Sequence, residues 1–170
     1  MKLKKLFSLL MFFTLLGSVS TVAQTKIVTG HPDFKIKITR CEANGNTVVI
    51  DMTLENTGSK DINIRMWGGI SWSKNGMKMT VAYDDDGNKY TGQNDLKVSI
   101  GKSGWDGGYG LREMLPPDIP LKASILIEGV PESATEFKRI DLYIESDDWG
   151  LNDKKPIKIT NVPISREGDD

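Results

Sequence analysis

Cysteine and histidine are nearly absent from this chain, and their scarcity excludes several kinds of protein. Cys41 is the only cysteine, so no disulfide can close within the chain, and stability must come from packing. We interpret Cys41 as a small buried hydrophobic residue at the end of a strand; the alternative is an exposed thiol that pairs with another chain. A lipid anchor is also excluded, because it would need a cysteine directly after the N-terminal apolar run.

His31 is the only histidine, and it precedes the first expected strand, next to Pro32. Serine, cysteine and zinc enzymes of the usual kinds depend on histidine as a base or a ligand. We therefore assign no catalytic residue and expect a protein that is not an enzyme. Glycan cleavage by paired carboxylates needs no histidine and remains an alternative, since the chain contains 23 acidic residues.

The residues indicate no metal and no other cofactor. The acidic turn at residues 84–86 could hold calcium together with Asp95, but the EF-hand pattern needs glycine at its sixth position, where this chain has Lys89. Three adjacent acids are more typical of a solvated turn at a strand end. Met77 and Met79 could hold copper, yet methionines two residues apart on a strand ordinarily face the core.

An excess of basic residues is absent as well. The formal net charge is −1, and it becomes −4 when the first 23 residues, with three lysines and no acids, are removed. A mildly acidic body does not attract phosphate backbones, so we expect no nucleic-acid partner.

The N-terminal segment, residues 1–23, has the pattern of a secretory signal peptide. Lys2, Lys4 and Lys5 precede an apolar run at residues 6–16, and small side chains at Thr21 and Ala23 suit a signal protease. The run of about 11 residues is shorter than the roughly 20 that span a bilayer. The sequence therefore predicts an exported protein, periplasmic or extracellular, with no membrane span after cleavage; a retained anchor is the alternative.

Long apolar runs with helical spacing are missing, and alternating apolar residues take their place. Helix is expected only as a single turn near residues 133–137. The alternation predicts about eight strands, at residues 34–38, 48–54, 62–66, 77–83, 96–100, 121–127, 140–144 and 157–162.

Turn chemistry supports the same division. Asn44-Gly45-Asn46, Asn75-Gly76 and Asp86-Gly87-Asn88 are sequences that tight hairpins favour. Short antiparallel strands without crossover helices predict an all-β sandwich of two sheets. We expect a polar lead-in at residues 24–33, a single immunoglobulin-like sandwich at 34–164 and a charged, mobile tail at 165–170.

Four segments resemble one known family. They are VVIDMTLENTG at residues 48–58, YDDDGNKY at 83–90, LPPDIPLKASILIEGVP at 115–131, and the strand at 137–144. They resemble bacterial exported immunoglobulin-like domains of unknown function, related in fold to the mycobacterial immunoprotective extracellular antigen. The resemblance implies fold and export but transfers no functional residue. The chain departs from the family in lacking a lipid-modified cysteine after its signal peptide.

Glycine-flanked aromatics form the candidate ligand site. Trp105, Asp106 and Tyr109 lie in the sequence WDGGYG, and Trp149 precedes another glycine. An exposed ring beside a carboxylate can stack on a sugar while the acid accepts its hydroxyls, and loops on a rigid sandwich are common recognition sites. The alternative is that these rings, with Trp67, cap the ends of the core.

We therefore predict a non-enzymatic binding or accessory module of the bacterial cell envelope. Its partner is an envelope protein or a glycan, whose identity the sequence does not give. The alternative is a carbohydrate-binding module that uses the loop aromatics.

Overall fold

Alternating buried and exposed residues form strands throughout the described chain. The computed structural model describes residues 24–69, 71–73, 76–146, 148 and 155–167, and the predicted signal peptide and Trp149 lie outside these ranges. The described residues contain strands and turns but no helix. The thirteen strands are β1 (Lys26–Val28), β2 (Phe34–Asn44), β3 (Thr47–Asn56), β4 (Ile62–Trp67), β5 (Ser71–Ser73), β6 (Gly76–Lys78), β7 (Val81–Asp84), β8 (Lys89–Thr91), β9 (Leu96–Ile100), β10 (Leu111–Leu115), β11 (Leu121–Glu128), β12 (Glu136–Glu145) and β13 (Ile157–Pro163).

Two antiparallel sheets pack against each other and enclose the core, as the alternation predicted. One sheet has the order β2-β3-β11-β9, and the other has β1-β13-β12-β4-β10 with β7 and β8 attached through β12. The strands β5 and β6 form a separate hairpin. Side chains from both inner faces are fully buried between the sheets, among them Ile50, Ile125, Ile140 and Met66. The fold class is therefore an all-β sandwich.

Two of the three predicted turns lie where strands reverse, and Asn75 of the third lies outside the described residues. Asn44 pairs with Thr47 across a turn in which Gly45 has a φ of 58°. Tyr83 pairs with Lys89 across the second turn, and Gly87 there has a φ of 87°. A positive φ is nearly free of strain in glycine alone, which is why these positions are informative in the sequence.

The predicted strand at residues 77–83 is wrong in two respects. The structure divides it into β6 and β7, and in β7 the buried residues are Ala82 and Asp84 while Val81 and Tyr83 are only partly covered. The true inner face is thus displaced by one residue. Because side chains alternate with a period of two, a displacement by one residue exchanges the inner and outer faces of the whole strand. The apolar Val81 and Tyr83 favoured the wrong face, and the true inner face ends in the Asp84 carboxylate.

The strand count of about eight was also too low. β1, β5, β6 and β8 are three residues long, too short to show a period of two by themselves. β1 lies in the predicted polar lead-in, where Lys26 pairs with Thr160 and Ile27 packs against the core. In the predicted tail, Ser165 donates its amide to Cys41 O at 2.9 Å, and Arg166 donates to Pro131 O at 2.8 Å.

Cys41 is buried, as its interpretation as a small hydrophobic residue predicted. A bulge between Ile38 and Arg40 shifts the alternation of β2, so Cys41 faces the core although Ile38 is three residues away. Burial raises the pKa of the Cys41 thiol to about 12, with an opposing effect of Arg166. The thiolate needed for exchange is therefore scarce at neutral pH.

Candidate functional site

The candidate site is the connection between β9 and β10, two strands at the same edge of the sandwich. We call residues 105–110 the aromatic loop. β9 is the last strand of one sheet and β10 is the last strand of the other. The loop therefore crosses from sheet to sheet over an edge that would otherwise be open.

The start of the loop is held on β9 by two backbone hydrogen bonds. Val98 N donates to Asp106 O at 2.9 Å, and Asp106 N donates to Val98 O at 2.8 Å. This bridge uses backbone groups that an edge strand leaves unpaired. The loop thus covers part of the edge and is fixed by it.

The Asp106 carboxylate holds the loop in its turn. It accepts the amide of Gly108 at 2.9 Å through Oδ1 and that of Tyr109 at 3.0 Å through Oδ2. Aspartate commonly stabilises a turn by accepting amides two or three residues later. Asp106 was predicted as a ligand-binding residue, and the structure gives its carboxylate oxygens these backbone donors.

Two aromatic side chains of the loop face solvent. Tyr109 is 84% exposed and Trp105 is 45% exposed. Exposed large rings are unusual on a monomer surface, where aromatics are mostly buried. Trp67, by contrast, is 5% exposed and is covered by Arg65 and Gly110. The structure thus distinguishes the recognition candidates Trp105 and Tyr109 from a structural tryptophan, while Trp149 lies beyond the described residues.

Arg65 connects the loop to the face of the larger sheet. Its Nη2 donates to Tyr109 O at 2.5 Å, and its guanidinium carbon lies 3.9 Å from the centroid of the Trp67 ring. Gly110 passes so close that a Cβ there would be 2.7 Å from Trp67 Cε3. The end of the loop is therefore anchored on a buried ring through a cation–π contact.

Three glycine-bearing segments meet beneath the loop, and we call this contact the glycine junction: Gly68, Gly69, Gly92 and Gly107. A Cβ on Gly69 would lie 1.6 Å from Gly107 O, and one on Gly92 would lie 1.4 Å from Gly68 O. Real Cβ atoms cannot approach a carbonyl so closely, so glycine is required here for backbone-to-backbone contact. The structure thus gives these glycines a packing role beneath the aromatic loop.

A cleft of about 440 Å³ lies beside Arg65 on the sheet β10-β4-β12. We call it the arginine cleft. Its lining consists of Asn63, Ile64, Arg65, Lys78, Arg112, Glu113, Glu145 and Ser146. The sequence analysis assigned neither Arg65 nor Arg112 to the candidate site. Alternation around Ile64 and Met66 does predict that Arg65 faces outward, but nothing local indicates that β10 lies beside β4.

The acidic turn at residues 84–86 contacts protein groups with each of its carboxylates. Asp84 is 3% exposed and accepts the Asn88 amide at 2.7 Å and the Tyr90 hydroxyl at 2.7 Å. Burial, together with this bond to Asp84, raises the pKa of Tyr90. Asp85 binds Thr135, and Asp86 accepts Ser133 Oγ at 2.6 Å. Within the described ranges, no group of three or more His, Cys, Asp or Glu could hold a metal ion.

Comparison with known proteins gives this chain no relative. No family model matches the sequence, and neither a curated protein nor a solved structure matches it significantly. In the described part of the chain, no helix has the length and apolar character needed to cross a bilayer.

Proposed function

We propose that this protein is an exported, non-enzymatic binding module of the bacterial cell envelope, and that the aromatic loop contacts its ligand. The observation that supports this most is the exposure of Tyr109 and Trp105 on a loop whose backbone is fixed at both ends. Rigid aromatic side chains bind at a low cost in conformational entropy. Export rests on the signal-peptide pattern of residues 1–23.

The strand order supports an immunoglobulin-like assignment of the sandwich. In such folds the sheets have the orders A-B-E-D and G-F-C. Here β2-β3-β11-β9 corresponds to the first and β13-β12-β4 to the second, with the chain visiting the strands in the same sequence. The strands β5 to β8 and β10 are then additions between C, D and E. We further propose membership of the exported immunoglobulin-like family that the sequence resembles.

Carbohydrate is the second candidate for the ligand class, and the exposed rings favour it. A ring that is 84% exposed can stack on the apolar face of a pyranose. The other class, an envelope protein, uses the same aromatics as interface anchors. Both depend on Tyr109, so one substitution tests the site for either ligand.

Tyr109→Ala is expected to weaken binding at least tenfold without lowering the melting temperature, because the exposed ring contributes contact area and little packing. Residues 24–170 are titrated by calorimetry with soluble neutral and acidic polysaccharides. In parallel, the protein with Tyr109 and the Tyr109→Ala variant are photo-crosslinked to envelope extracts from a photoreactive residue at position 104, where no heavy atom lies within 4 Å of the Cβ position. Ile119→Ala, which truncates another exposed apolar side chain (60% exposed), is the control and should bind like the wild type.

Three results would contradict the proposal. Equal binding by Tyr109→Ala and the wild type would exclude the aromatic loop as the site. A melting temperature lowered by several degrees in Tyr109→Ala would assign the ring a structural role. Release of reducing sugar from the polymers by the wild type would show an enzyme.

A further inference from the structure

Two arginines lie side by side in the arginine cleft. Arg65 on β4 and Arg112 on β10 are direct partners in the antiparallel register. Directly opposed residues have Cβ atoms about 4.5–5.5 Å apart on the same face of a sheet, and like charges there are destabilising. Two positive charges in this register favour an anion between or beside them.

The nearby carboxylates form no ion pair with either arginine in the described part of the chain. Glu145 is the partner of Arg65 on the β12 side, but its Oε2 accepts Lys78 Nζ at 2.6 Å. Glu113 directs Oε1 to the Met114 amide at 3.2 Å, and its Oε2 lies near Gly101 of the other sheet. Among the described residues, no ion pair includes Arg65 or Arg112.

Arg65 is oriented before any ligand arrives. Its contacts with Trp67 and Tyr109 O fix the plane of the guanidinium, and Gly110 covers Nε. Nη1 of Arg65 and the second hydrogen of its Nη2 remain available to donate hydrogen bonds to a ligand. A planar fork that is already oriented loses little entropy when it binds a carboxylate or a phosphate.

The arginine cleft is large enough for a small ligand unit, and it contains one further polar group that could bind it. Its volume of about 440 Å³ lies within the range of small-molecule sites, roughly 300–1,000 Å³. Ser146 lines it, is 3% exposed, and has a hydroxyl without a hydrogen-bond partner in the described structure. A buried unpaired hydroxyl is costly, and a ligand oxygen would satisfy it.

We propose that the arginine cleft binds the anionic group of an acidic glycan whose sugar ring contacts the aromatic loop. The Arg65–Tyr109 hydrogen bond joins the two surfaces, so one ligand can touch both. This inference rests on the proposed binding function and specifies its substrate class. Carboxylate and phosphate share the chemistry that an arginine pair recognises, and the two sources are separate arms of the test.

Residues 24–170 are titrated by calorimetry with oligogalacturonate, with a glucan oligomer that carries phosphate esters and with the same glucan oligomer without phosphate. We expect binding of one anionic polymer at least tenfold tighter than binding of the neutral one, with an affinity that falls as salt rises. Arg112→Gln should reduce that affinity about tenfold or more, because it removes a charged hydrogen-bond donor. Arg112 is exposed, so its substitution should not affect folding.

Lys122→Gln makes the same charge change on the other sheet and should leave affinity unchanged. Arg65→Lys keeps the positive charge but removes the planar, paired N–H donors of the guanidinium, and it should weaken binding as well. Equal affinity of Arg112→Gln and wild type for the anionic polymers would overturn the inference, as would a wild type that binds neither of them. If the neutral oligomer binds as tightly as the anionic ones and Tyr109→Ala abolishes that binding, the inference fails while the proposed function stands.

Discussion

Gly92→Ala, a substitution within the glycine junction, is expected to destabilise the protein more than the same exchange at a glycine outside the junction. The new methyl carbon would lie 1.4 Å from Gly68 O, a backbone atom that cannot rotate away. Overpacking usually costs about 1–3 kcal/mol, and a backbone clash belongs at or above the top of that range. For a domain of this size, we expect the melting temperature to fall by about 6–12 °C.

Gly104→Ala is the matched control, since no heavy atom lies within 4 Å of its Cβ position. Its stability should remain within about 0.5 kcal/mol of the wild type. Thermal denaturation followed by circular dichroism measures both variants. Equal melting temperatures for Gly92→Ala and Gly104→Ala would mean that the glycine junction is not closed as described, and the support of the aromatic loop would be lost.

Asp84→Ala is expected to lower the free energy of unfolding by about 2–4 kcal/mol, because it leaves buried donors without an acceptor. The Tyr90 hydroxyl and the Asn88 amide both donate to this carboxylate, and the Tyr90 ring packs edge-on against Phe137 at 6.1 Å between centroids. Urea denaturation at neutral pH measures the loss.

Asp86→Ala is the control for that loss, since Asp86 is exposed and makes one hydrogen bond to Ser133. Its effect should stay within about 0.5 kcal/mol. The double variant Asp84→Ala/Tyr90→Phe should lose less free energy of unfolding than the sum of the two single variants. The reason is that Tyr90→Phe removes the hydroxyl that Asp84→Ala leaves without an acceptor. Additive effects would show that the two side chains do not interact.

The fold class was predictable because, in most long strands, alternating apolar residues identify the buried face. In β3, Val48, Ile50, Met52 and Leu54 are all buried, as the alternation predicted. The hairpin turns were predictable as well, because a positive φ demands glycine at positions such as Gly45. These signals are local, and each depends on a few neighbouring residues.

The details that failed depend on tertiary context. The inner face of β7 ends in Asp84, whose buried carboxylate accepts hydrogen bonds from Tyr90 and Asn88. Strands of three residues form where a longer strand pairs with their backbone, as β13 does with β1. A sequence pattern assigns carboxylates to solvent and short polar segments to loops, so neither feature could be deduced locally.

The candidate site was predictable in part for the same reason. The composition of the aromatic loop indicated a special role, and Trp105 and Tyr109 are indeed exposed; their role in binding stays a prediction. Arg65 was not predicted, because its role depends on the pairing of β4 with β10. In that register Arg65 lies opposite Arg112, 47 positions later in the chain. Long-range pairing is a property of the whole fold.

A fixed recognition loop must have protected backbone amides, and native-state amide hydrogen exchange of residues 24–170 measures that protection. The amides of Asp106, Gly108 and Tyr109 all donate hydrogen bonds, to Val98 O and to the Asp106 carboxylate. We predict that they exchange at least about tenfold more slowly than in an unstructured peptide. Exchange of all three amides at the unstructured rate would show that the aromatic loop is not fixed.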